Sequence, residues 1–114
     1  MSGALGQAEA VVDEVFSSLP RLKVAAFLAG CDEAEFAIIA QATGTAPSAL
    51  SKAATHLEEV GYARIRKGHI GRRSRTWLSL TPAGRSAFAR HLEALDDLTN
   101  RARTTASSEA DPAD

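Results

Sequence analysis

Three arginines, Arg72, Arg73 and Arg75, fall within four residues of one another just after Gly71. A guanidinium is planar, permanently charged and carries a fork of donors, so such a cluster suits phosphate or another polyanion. Lys67 and His69 lie just upstream, and Lys52, Arg64 and Arg66 precede them. Seven of the thirteen Lys and Arg residues stand between 45 and 80 against only Glu58 and Glu59, a net charge of about +5. The first 44 residues sum to about −4 and the last 34 to about −2, so the whole-chain charge of −1 conceals a local basic segment. One concentrated basic stretch in a near-neutral chain points to a surface that meets a polyanion.

Other chemistries find less support. Cys31 is the single cysteine, so no intrachain disulfide forms, which fits a reducing cytoplasm. Asp32, Glu33 and Glu35 beside it would raise a thiol pKa, the opposite of what a redox sensor needs, so it reads as inert. His56, His69 and His91 are widely spaced and do not supply a metal-ligand cluster within one chain. No Gly-rich phosphate loop, nucleophile elbow or paired catalytic carboxylate appears, and no cofactor is implied. No apolar run approaches the roughly 18–20 residues that span a bilayer, and the N-terminal MSGALGQAEA lacks the pattern of a secretory signal. The expectation is a soluble cytoplasmic protein that is not an enzyme.

The elements that would position the basic cluster are legible in hydrophobic spacing and in Pro and Gly punctuation. Ala8, Val11, Val12, Val15, Phe16 and Leu19 recur at helical spacing, which predicts a first amphipathic helix. Ser18-Leu19-Pro20 reads as a stop followed by a new start, and Leu22, Ala25, Ala26 and Leu28 or Ala29 form the next stripe up to Gly30. After an acidic connection at 31–35, a helix is expected over about 36–43 with Gly44 closing it. Pro47 opens the next, to about Val60, with Leu50, Ala54 and Leu57 facing inward. Residues 62–67 and 75–80 alternate as strands, separated by a tip bracketed by Gly68 and Gly71 that reads as too long for a two-residue turn. Thr81-Pro82 then caps a last helix to about Arg101, carrying Phe88, Leu92, Leu95 and Leu98.

Two helices joined by a tight Gly-containing turn and followed by a basic hairpin define a helix-turn-helix with a wing. On the second of those helices Ser48, Ser51, Lys52, Thr55 and His56 lie away from the apolar face, where a major groove admits them. Lys67, His69, Arg72, Arg73 and Arg75 would follow the flanking phosphates or enter the adjacent minor groove. Trp77 is expected to cover the outer face of the sheet or the neighbouring helix and not to stack on a base.

The stretch LSKAATHLEEVGYARIRKGHIGRRSRTWLSLTPAGR resembles the small bacterial and archaeal winged-helix DNA-binding regulators related to the MarR and ArsR groups. Leu50, Ser51, Lys52, Leu57, Glu58, Glu59, Gly61 and Tyr62 carry the first part of the likeness. Gly71, Arg72, Arg73, Arg75, Thr76, Trp77, Leu80, Thr81, Gly84 and Arg85 carry the second. RLKVAAFLAG and EFAIIAQATG upstream fit as well, so about residues 20–98 are covered. Ala46 departs from the capping Thr usual there, and Ala49 and Ala53 replace common polar residues, which leaves the helix sparse in base-reading groups.

The expected fold is therefore mainly α with a small antiparallel β-hairpin, a winged helix-turn-helix. Residues 1–7 are expected as a flexible N-terminus, 8–103 as the folded domain with its dimerisation helices, and 104–114 as a disordered tail. Val12, Phe16, Phe88, His91, Leu95 and Leu98 lie on the terminal helices, where an apolar stripe wider than one small domain needs is expected to pair two copies. The resemblance implies a transcriptional regulator that binds double-stranded DNA as a homodimer, its small-molecule effector, if there is one, unspecified. Two alternatives stay open: a winged-helix module that binds an acidic protein partner, and a non-specific architectural DNA binder.

Overall fold

The computed structural model describes residues 11–110. The described residues divide into two compact units, one spanning Asp13–Phe88 and one that includes Val11, Val12 and residues 89–110.

The first unit begins with a 3-10 turn, Glu14–Ser17, in which the Asp13 carboxylate accepts from the Val15 amide at 2.9 Å. This replaces the amphipathic helix expected from Ala8 to Leu19: residues 11–13 are not helical, and Ala8 lies outside the described residues. Helix α1 follows at Leu19–Ala29, with Ser18 Oγ as its N-terminal acceptor and Pro20 in its first turn. Proline costs nothing there, because that amide has no partner inside a helix. Strand β1, Ala34–Glu35, comes next, in the segment expected as an acidic connection. Helix α2, Phe36–Thr43, ends at Gly44, whose φ of +64° is the left-handed conformation expected of it. Helix α3, Pro47–Glu59, has no side-chain cap at Ala46 but starts on Pro47.

Strands β2 (Ala63–Ile70) and β3 (Arg73–Leu80) form the hairpin, and β1 joins the free side of β3 to make an antiparallel sheet in the order β1-β3-β2. Ile70 pairs with Arg73, so the turn holds only Gly71 and Arg72. The longer tip expected between Gly68 and Gly71 is corrected. Gly68 lies inside β2 opposite Arg75, and a Cβ there would sit 3.1 Å from the Trp77 ring. Its task is to make room for the indole. Gly71 takes the turn, with φ +65° at its first central position and no positive φ at Arg72, the pattern of a II′ hairpin.

Helix α4, Pro82–Ala110, opens on the Thr81 hydroxyl, which accepts from the Gly84 amide at 3.0 Å and donates to the Gly61 carbonyl at 2.6 Å. It runs past the expected end near Arg101 and through the first part of the segment 104–114 expected as a tail. Within that extension Arg103 Nη1 donates to Asn100 Oδ1 at 3.2 Å, at helical i,i+3 spacing. The expected flexible 1–7 and the last four residues of the tail lie outside the described residues.

The core of the first unit is assembled from all of these elements. Val24, Leu28, Ile39, Leu50, Leu57 and Leu78 are fully enclosed. Phe16 stacks on Tyr62 at 5.7 Å and meets Phe88 edge-on at 5.3 Å, and both phenylalanines are buried. Both are expected from the sequence at a dimer surface; in the single chain they pack on one another and on Tyr62. Arg85 reaches back from α4 to the carbonyls of Leu28 and Cys31 (3.4 and 2.8 Å) and so fixes the end of α1. In the second unit His91 and Ala94 are buried, whereas Leu92, Leu95 and Leu98 remain exposed. Val12 is also exposed.

Candidate nucleic-acid interface

Helix α3 presents two different flanks because its apolar stripe, Leu50, Ala53, Ala54 and Leu57, is buried against the domain. Ser48, Ser51, Lys52 and Thr55 are exposed on the opposite side. His56 is not with them. It is half-buried and lines a shallow depression with Glu14, Val15, Ser17 and Arg21, on the flank facing the 3-10 turn. One further residue along the helix is a rotation of about 100°, enough to carry His56 off the polar crest.

On the other flank α3 and the wing enclose a cleft of about 400 Å³. Ser51, Ala54 and Thr55 form its helix wall; Ile65, Lys67, Ser74, Arg75, Thr76 and Leu78 form its sheet wall; Glu35, Phe36 and Ala37 close the end. The structure thus brings Ser51, Thr55, Lys67 and Arg75 together and adds Ser74 and Thr76, which sequence reasoning did not single out. Strand alternation is the reason: Lys67 pairs with Thr76 and His69 with Ser74, so these side chains share one face. His69, Arg72 and Arg73 are exposed at the hairpin tip. Among the described residues none of Lys52, Lys67, Arg72 and Arg73 makes an ion pair.

Two wing cations are already engaged. Arg75 Nη1 donates to Glu35 Oε2 at 2.7 Å, with both side chains about three-quarters buried. Its Nε is buried without a hydrogen-bond partner among the described residues. Arg66 donates through Nε and Nη2 to the Glu33 carboxylate at 2.9 and 2.8 Å, and its guanidinium lies 4.1 Å from the centroid of Trp77. Trp77 is Arg66's direct partner across the β2–β3 ladder, so the indole covers the sheet's outer face as expected. The Arg66 hydrogen bonds hold the Glu33 carboxyl below its ordinary value of 4.5, and Glu33 in turn raises Arg66. Glu33 and Glu35 were missed as members of this site, since a two-residue strand carries no readable alternation.

Among the described residues there is no group of three or more His, Cys, Asp or Glu side chains that could hold a metal ion. No described helix is long and apolar enough to cross a membrane.

A buried three-helix support, a polar helix crest and a basic hairpin beside it are the parts of a winged-helix DNA-binding domain. The family model of that description, winged helix DNA-binding domain, matches residues 20–99, and the chain belongs to this family. Among solved structures it is similar to a transcriptional regulator homologue from Pyrococcus horikoshii OT3: 25% identity, TM-score 0.71, over 77% of this chain and 87% of that one. A MarR-family transcriptional regulator from Silicibacter pomeroyi is 26% identical with a TM-score of 0.59, over 74% of this chain and 56% of that one. The YusO protein from Bacillus subtilis shares the fold at 22% identity and a TM-score of 0.64, over 93% and 85% of the two chains. No curated protein sequence matches the chain significantly. The chain is thus a winged-helix protein by family, and it is similar in structure to transcriptional regulators that include a MarR-family member.

Proposed function

We propose that the protein binds double-stranded DNA with a sequence preference and regulates transcription as a homodimer. Helix α3 enters the major groove through Ser48, Ser51, Lys52 and Thr55, and the hairpin tip carries Arg72 and Arg73 onto the flanking backbone or minor groove. The observation that carries this reading is the cleft between α3 and the wing. Hydroxyls from both walls and the Lys67 ammonium face one space, which suits a phosphate backbone passing between a groove-bound helix and the wing.

Dimerisation is supported by Leu92, Leu95 and Leu98, which leave α4 with an exposed apolar stripe at i, i+3, i+6 spacing. Val12 and His91 are proposed as neighbours of that interface. A twofold dimer would set two α3 helices about 34–36 Å apart, one DNA turn. A structural neighbour was solved in complex with 4-hydroxyphenylacetate; a small-molecule effector of this protein is proposed only by that analogy.

Fluorescence anisotropy against the DNA upstream of the protein's own gene and a scrambled duplex, at two salt concentrations, tests the reading. A preference of about a thousandfold for the upstream DNA, weakening with salt, supports a specific regulator. Equal weak binding to both sequences points to an architectural role. No binding at low salt contradicts the DNA reading and favours an acidic protein partner.

A further inference from the structure

We propose that Ile70 is an apolar minor-groove contact at the tip of the wing, an inference that rests on the DNA-binding reading above. Ile70 is the last residue of β2 and 55% exposed. It pairs with Arg73 and is separated from it only by Gly71 and Arg72, so one isoleucine stands between cationic neighbours at the narrowest point of the hairpin. A strand end needs a β-branched residue for propensity alone, but threonine meets that need without exposing a hydrocarbon.

The rest of the wing makes the placement informative. Farther down the hairpin, Arg66 and Arg75 are held by Glu33 and Glu35, so those charges are already balanced within the protein. The tip keeps its charge, and Ile70 is the large apolar side chain exposed there. A two-residue turn makes the tip slim enough to approach a groove about 6 Å wide. Arginines at the tip favour the negative potential of a narrow minor groove and bring Ile70 against its sugar walls and floor. Apolar side chains inserted into that groove are an established mode of DNA contact. Such a contact adds affinity through buried hydrocarbon and releases no counterions.

The experiment compares wild type with Ile70→Thr, which keeps the β-branch and removes the apolar end, by anisotropy over a salt series. Because Ile70 is exposed, the variant should melt within a few degrees of wild type. The expected result is an affinity about 5–20-fold weaker with the salt slope unchanged. Arg72→Ala, in contrast, should reduce the slope by about 1. A second duplex set replaces G·C by I·C pairs under the wing, which removes the guanine amino group from the minor groove only. Wild type should prefer I·C, and the variant should lose that preference.

Binding by Ile70→Thr within twofold of wild type would overturn the proposal, as would a lost unit of salt slope. Weaker binding with the I·C preference intact would overturn the minor-groove placement. Failure of wild type to bind any duplex would be a failure of the DNA reading itself, seen before the variant is compared.

Discussion

Arg75 and Glu35 are joined by a 2.7 Å hydrogen-bonded ion pair that ties β3 to the two-residue β1, with both side chains about three-quarters buried. The sequence places Arg75 in the same cluster as Arg72 and Arg73, but the fold separates their duties. An arginine whose charge is balanced by a nearby carboxylate has less to gain from a phosphate than one standing in water.

Salt dependence should therefore distinguish the arginines. Arg72→Ala together with Arg73→Ala should weaken binding to all sequences and lower the slope of log K against log salt by up to about 2. Arg75→Ala should change that slope by less than about 0.5 while costing about 1–2 kcal/mol of folding stability. Anisotropy titrations and urea melts on the same three proteins check both halves.

Lys52 and His56 should also separate. Lys52→Ala should weaken DNA binding with a slope change of about 1, because its ammonium is on the exposed crest of α3. His56→Ala should bind within twofold of wild type, because His56 turns toward Glu14 and Arg21. A large loss from His56→Ala would mean that the opposite flank of α3 meets the DNA.

Glu33 titrates below 4.5 because Arg66 donates two hydrogen bonds to its ionised form. A carboxylate with a depressed folded pKa stabilises the fold above its unfolded pKa, and that contribution disappears as pH falls through the folded value. The window for losing the Arg66–Glu33 pair thus lies below about pH 4.5. Carboxyl NMR should show the Glu33 midpoint rising toward 4.5 in Arg66→Ala. An unmoved midpoint would show that the pair does not persist in solution.

Gly84, in the first turn of α4, packs closely against the backbone of Tyr62. A Cβ there would collide with the backbone carbonyl of Tyr62, which cannot swing aside as a side chain would. Gly84→Ala should destabilise the protein by about 2–3 kcal/mol despite alanine's better helix propensity. A thermal or urea melt checks this, and a stabilised variant would show that α4 starts elsewhere.

The helices of the first unit were readable because their signals are local. Pro20, Pro47 and Pro82 mark starts, Gly30 and Gly44 mark stops, and the Leu50-Ala54-Leu57 spacing names the buried face of α3. The strands were readable only where alternating burial marks them. Ala63, Ile65, Leu78 and Leu80 gave the base of the hairpin, whereas the half-buried Gly68 and the exposed residues 69–70 and 73–74 carry no apolar alternation and hid its true length.

Partnership was harder to read than structure. An apolar stripe on a terminal helix does not say what covers it. Phe88 meets Phe16 within its own unit, whereas Leu95 and Leu98 stay exposed. Net charge has the same weakness: seven cations between 45 and 80 look alike in sequence, and only the paired positions of Glu33 and Glu35 divide them.

The most direct test of the account is amide NMR of the intact protein titrated with its upstream DNA. The account predicts the largest shifts at residues 48–55 of α3 and 69–73 of the hairpin tip, with Lys67, Ser74 and Thr76 next and His56 little changed. Shifts confined to other surfaces, or no shifts at low salt, would contradict docking through α3 and the wing.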